Sequence, residues 1–187
     1  MSDSQKYIYA INANDRIDYV NEAFEQFARE NDAGELTDGA VIGRSLWSFI
    51  TPNGVEEYYR VLLNNVRETG ESLTIPYQCD SPSLRRSMRM RISSESGEIV
   101  QFTSWLEKSE SREPIFALSS KTNKSERLIH MCSWCKKVGM PGKHWETLET
   151  ALEDNPDLVH EPYPRFSHGI CSNCLAHQEK SLKKVKE

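Results

Sequence analysis

The chain has 187 residues, of which 37% are hydrophobic, and a formal net charge of −5, enough for one ordinary domain and a smaller module. It has no apolar run near the roughly 18–20 residues of a membrane span, and Met1-Ser2-Asp3-Ser4-Gln5-Lys6 lacks the basic start and apolar stretch of a secretory signal, so a cytoplasmic protein is expected. Residues 1–129 carry 15 basic and 20 acidic side chains and residues 130–187 carry 8 of each, so neither part shows the basic excess of a nucleic-acid binder.

Tyr7 to Ile11 alternates as a strand. Asn12-Ala13-Asn14-Asp15-Arg16 supplies a turn, and Ile17 to Val20 returns as a second strand. Asn21 is placed to cap a helix whose apolar face is Ala23, Phe24, Phe27 and Ala28. Val41 to Ile50 reads as one or two helical turns, and Thr51-Pro52-Asn53-Gly54 punctuates the chain. A helix follows over 55–69, with Val55, Tyr58, Tyr59, Leu62, Leu63 and Val66 inward and Gly70 as its stop. Leu73, Ile75, Tyr77 and Cys79 alternate in a third strand. In a fourth, Met88, Met90 and Ile92 form an apolar face opposite Ser87, Arg89 and Arg91. Arg85 and Arg86 extend this cationic row. Ser93 to Gly97 turns into a fifth strand over 99–106.

This order, with Asp15-Arg16-Ile17-Asp18-Tyr19-Val20-Asn21-Glu22-Ala23-Phe24 and then Ile42-Gly43-Arg44-Ser45-Leu46-Trp47, resembles the PAS domain over residues 5–108. The resemblance implies an α+β fold with a five-stranded antiparallel sheet and helices on one face. It also implies a sensor that binds a small-molecule ligand or a partner, and it leaves a homodimer open. All five histidines lie beyond residue 129, which argues against a haem ligated by histidine inside this part. The photoactive flavin-binding members carry a cysteine in an Asn-Cys-Arg-Phe-type motif on a helix. The only cysteine here, Cys79, falls in an expected strand and reads as a small core residue.

Residues 109–128 are polar, with Pro114 and the short apolar patch Ile115 to Leu118, and read as a linker. A cysteine-rich module is expected over 129–187. Cys132 and Cys135 form one C-x-x-C and Cys171 and Cys174 a second, with 35 residues between them. Each such turn brings two thiolates to one point, and two turns facing each other make the tetrahedron that Zn²⁺ prefers. In the expected compartment, paired cysteines serve as metal ligands or redox groups more often than as disulfides. The spacing of Trp145, Leu148, Ala151 and Leu152 predicts a helix from His144 to Glu153. Proline marks a loop over 156–164, and a lysine-rich helix is expected from Leu175 to about Lys186, with Lys180, Lys183 and Lys184 near its end. A knuckle with a helix-borne pair would make a small treble-clef-like zinc module. His168, three residues before Cys171, reads as a supporting group more than as a ligand.

Cys132-x-x-Cys135-Lys136-Lys137-Val138, then Trp145-x-x-Leu148-Glu149, then Ser167-His168-Gly169-Ile170-Cys171-x-x-Cys174 resembles a cysteine-rich segment found beside PAS and receiver domains in bacterial signalling proteins. The combined expectation is a non-catalytic sensor or adaptor with Zn²⁺ on the four cysteines. No acid–base or nucleophile constellation marks an enzyme, so the chain is expected to act in trans on a signalling partner. A thiol redox switch is the alternative. A nucleic-acid-binding zinc protein, which only the lysine tail favours, stands third.

Overall fold

A computed structural model of the protein describes residues 5–37, 39–50, 55–95, 98–140, 142, 144–155 and 158–177. The expected punctuation at 51–54, the tip of the 93–97 turn, and the helix and lysines beyond 177 lie outside them. The described residues form two compact units, one over 5–50, 56–77 and 86–109, the other chiefly over 78–85 and 110–177.

In the first unit, β1 (Lys6–Ile11) and β2 (Ile17–Val20) pair antiparallel. Their turn closes because the Asn12 side-chain oxygen accepts from the amides of Asn14 (2.9 Å) and Arg16 (3.2 Å). Asn21 then begins α1 (Glu22–Glu30). Its Oδ1 accepts from Phe24 N at 2.9 Å and from Ile8 N at 3.0 Å, and its Nδ2 donates to Lys6 O at 2.9 Å. One side chain thus caps the helix and ties it to β1. Phe24 and Phe27 lie half-buried against Tyr9 and Tyr7, with ring centroids 5.9 and 4.6 Å apart. The expected turns after Val41 reduce to a 3-10 turn, Leu46–Ser48. α2 (Val55–Thr69) buries Val55, Tyr58, Leu62, Leu63 and Val66, and Gly70 ends it with φ 72°, a conformation that glycine adopts without penalty.

β3 (Leu73–Gln78), β4 (Leu84–Ser94) and β5 (Val100–Ser111) complete a five-stranded sheet in the order β2-β1-β5-β4-β3. β5 runs antiparallel to β1, from Lys6 opposite Trp105 to Ile11 opposite Val100. The short links between β3, β4 and β5 require antiparallel pairing too, because a parallel crossover needs a dozen residues or more. This is the sheet that the PAS resemblance implies. Met88, Met90, Ile92, Val100 and Phe102, with Ile11, Leu62, Leu63 and Val66, are buried in the core of this unit, each large side chain contributing about 1.5–3 kcal/mol.

Arg86 departs from the expected cationic row. It is 8% exposed, on the core side with Met88. Its guanidinium donates to Asn31 Oδ1 at 2.5 Å and lies 4.9 Å from the Phe27 ring centroid. A hydrogen bond and an aromatic face make that burial tolerable.

In the second unit, β6 (Lys124–Cys132), β7 (Val138–Gly139), β8 (Trp145–Glu146) and β9 (Tyr163–Gly169) form a sheet in the order β8-β7-β6-β9. β6 and β9 are parallel, with α3 (Leu148–Asp154) in the connection between them. Trp145 belongs to a strand and not to the expected helix, because Thr147 caps α3 by accepting from Thr150 N at 3.2 Å. Ile115, Ala117, Ile129, Met131, Val138, Leu148, Ala151 and Leu158 form the core. The stretch 109–128, expected to link, holds the end of β5, a 3-10 turn at Phe116–Leu118 and the start of β6. Arg112 is fixed there, its guanidinium donating to Ser81 O (2.7 Å), Asp80 Oδ2 (3.1 Å) and Glu149 Oε1 (3.1 Å).

Candidate metal centre

The parallel pairing of β6 and β9 builds the cysteine cluster. The register sets Met131 opposite His168 and Cys132 opposite Gly169, so both strands end at the same level. Each continues directly into its own C-x-x-C turn. After Cys132 the chain reverses into β7: Lys136 N donates to Cys132 O (3.0 Å), and Cys132 N to Lys137 O (2.8 Å). Lys136 sits at φ 56°, the left-handed conformation that closes this turn. Ser133 N donates across to Gly169 O at 2.9 Å. On the other side Cys171 precedes helical residues 172–177 and Cys174 lies in their first turn.

The ligand atoms of Cys132, Cys135, Cys171 and Cys174 all lie within 4.8 Å of one another. Cys135 Sγ and Cys171 Sγ are 3.7 Å apart. An ion bound tetrahedrally at about 2.3 Å requires sulfurs about 3.8 Å apart, whereas a disulfide requires about 2.05 Å. The four thiols therefore fit a tetrahedral metal ion. Cys132 and Cys171 are buried, and Cys135 and Cys174 are half-buried.

Backbone amides converge on the sulfurs. Cys171 N donates to Cys132 Sγ and Cys174 N to Cys171 Sγ, both at 3.4 Å, and the amides of Trp134 and Cys135 also face Cys132. Such donors stabilise the thiolate form. A hydrogen bond from the Cys135 thiol, reinforced by these amides, holds the Cys132 thiol down to about 4. Giving that bond pushes Cys135 up, with burial adding to it. Burial and then the charge of Cys132 push Cys174 up to about 12. These contacts favour the thiolate at Cys132 and the thiol at Cys135 and Cys174.

His168 is not among the clustered groups. It is exposed, and the protein around it, followed by the charge of Lys136, holds its pKa below the ordinary value. His130 Nδ1 and Ser167 Oγ, 2.7 Å apart, join β6 and β9 at the surface. Cys79 lies half-buried just past the end of β3, not within the strand.

No family model matches the chain, and no curated protein matches it. Solved PAS structures do. One is the PAS domain of the Cronobacter turicensis RpfR quorum-sensing receptor in complex with C12:0, 14% identical, with a TM-score of 0.43 over 58% of this chain and 99% of that one. Another is a sensory box sensor histidine kinase from Vibrio cholerae, 14% identical, with a TM-score of 0.39 over 55% of this chain and 81% of that one.

Sequence reasoning missed the groups that brace the second unit. Arg112 stands in a polar stretch, and its partners Asp80 and Glu149 lie 32 and 37 residues away. Within the same unit Gln78 N, at the end of β3, donates to Trp134 O in the cysteine turn at 2.8 Å. No local pattern announces either contact.

Proposed function

We propose that the chain is a non-catalytic signal sensor or adaptor, with a PAS-like unit that binds a small ligand or partner and a treble-clef-like unit held by Zn²⁺. The observation that carries this reading is the closed set of four cysteine sulfurs. An all-sulfur tetrahedron selects zinc or iron among common metals, and four protein ligands leave no open position for substrate, as in structural zinc sites. Zinc would supply a fixed crosslink between the two turns. Cys132, Cys135, Cys171 and Cys174 would hold it, the amides at Cys171 and Cys174 would spread the thiolate charge, and Lys136 and Lys137 would offset the rest. The signal would pass in trans to a cytoplasmic signalling partner. The resemblance to bacterial signalling segments and the antiparallel sheet support that context.

Elemental analysis of the purified full chain, with mass spectrometry of co-purified small molecules, tests the proposal. One zinc per chain is expected, falling below 0.1 in Cys171→Ser while exchange protection of the first unit is retained. A stoichiometric iron content, or no metal after purification under reducing conditions with zinc supplied, overturns it.

The low pKa of Cys132 favours a second reading, a redox switch. A peroxide or disulfide oxidant would take two electrons from a pair of these thiolates, form a disulfide and release the metal. Thiol titration before and after peroxide, with metal measured in parallel, separates the two. Loss of two thiols together with the metal, reversed by dithiothreitol, selects the switch.

A further inference from the structure

The second unit contains a cleft of about 290 Å³ that the cysteine cluster does not use. Its apolar wall includes Met131, Leu148 and Phe166, and its polar rim includes Lys124, Lys136 and His168. The rim is cationic because its one carboxylate is already engaged. Asp80 is 6% exposed and paired with Arg112 at 3.1 Å. Lys124 donates one of its three ammonium hydrogens to Ala117 O at 2.6 Å. Among the described residues no salt bridge holds Lys136, and His168 stands beside it as a neutral imidazole able to donate an N–H. Apolar walls with a few convergent charged groups are the usual make-up of a small-molecule site, and this volume is at the small end of that range.

We propose that this cleft binds a small organic anion, its carboxylate or phosphate head on Lys124, Lys136 and His168 and its apolar body against Met131, Leu148 and Phe166. The lysine ammonium groups favour an anion, since a neutral molecule would leave half-buried Lys124 without a counter-charge. The apolar wall requires a hydrocarbon or aromatic body, since a bare inorganic anion would leave it wet. Lys136 directly follows Cys135 and His168 is set opposite Met131 in the strand register, so an occupant would touch the two segments that carry the cysteine pairs. The proposal stands independently of the metal's identity and of whatever the PAS-like unit binds.

The test is an NMR titration of the full chain, as purified with its metal, using phenylacetate as the probe. Phenyl phosphate, 2-phenylacetamide and inorganic phosphate serve as comparison compounds. Phenylacetate or phenyl phosphate should give saturable shifts at Met131, Lys136, Leu148, Phe166 and His168, and the tighter of the two identifies the head group. The neutral amide should bind at least tenfold more weakly. His168→Gln and Lys124→Gln should each weaken the better probe at least fivefold with unchanged metal content. Four results would overturn the proposal: no saturable shift with either anion, equal binding of the amide, inorganic phosphate binding as tightly as the better probe, or variants that bind like the wild type.

Discussion

Replacing Arg112 by alanine probes the bracing of the second unit. The arginine side chain is 11% exposed and its Asp80 partner 6%, so the pair is nearly dry. Removing the guanidinium takes from the Asp80 carboxylate the cation bonded to it at 3.1 Å, strips a donor from Ser81 O at 2.7 Å, and removes one cation from Glu149, which keeps Arg85. Breaking a buried pair from one side costs about 3–5 kcal/mol. At 1.36 kcal/mol per tenfold, that is roughly a 160- to 4,700-fold fall in the folded-to-unfolded ratio of this unit. Hydrogen exchange of the Ile129 and Met131 amides, in the core strand β6, reads that ratio directly. The double variant Arg112→Met/Asp80→Leu should recover most of the loss, because a well-packed apolar pair often replaces a buried ion pair at little cost. A fall of less than tenfold in Arg112→Ala would show that water or another cation reaches Asp80, and the reasoning would fail.

Other perturbations have equally definite outcomes. Zinc uptake at pH 7 should release at least two protons, from Cys135 and Cys174, whose pKa values are raised. Affinity measured by chelator competition should therefore rise at least about 100-fold per pH unit near neutrality, and a slope below tenfold would contradict the proton inventory. Burial raises the phenol pKa values of Tyr9, Tyr58 and Tyr59, so the stability they contribute is complete below their unfolded value of about 10 and is lost as pH rises above it. Urea midpoints of the first unit should hold from pH 8 to 9.5 and fall by pH 11, and Tyr59→Phe should flatten the fall. Asn21→Ala removes a helix cap and orphans Ile8 N, so a loss of about 1–3 kcal/mol in urea unfolding is expected. A change under 0.5 kcal/mol would mean that water replaces the side chain.

Features encoded within a few residues were legible in the sequence. Asn21 caps α1 because a side-chain oxygen there reaches Phe24 N, and Gly70 stops α2 because it can take a positive φ. The two C-x-x-C turns declared four thiols of one kind. Arg86 was legible in principle, since it shares the parity of Met88, Met90 and Ile92, but its charge masked its phase. Trp145 satisfied a helical spacing whose true start was the cap at Thr147. Arg112 was opaque, because a polar stretch gives no sign that one of its side chains will be buried by partners more than 30 residues away.

The parallel seam between β6 and β9 has a consequence for how such a centre tolerates change. The sulfurs meet because two strands finish side by side, and the exposed residues 159–162 that lead into β9 carry none of the core. The length of that stretch is therefore nearly free. Doubling a flexible loop costs only about 0.6 kcal/mol in closure entropy, so an insertion within the exposed residues 159–162 would leave the thiol tetrahedron in place. A one-residue slip of β9 along β6 would move Gly169 away from Cys132 and pull the tetrahedron apart.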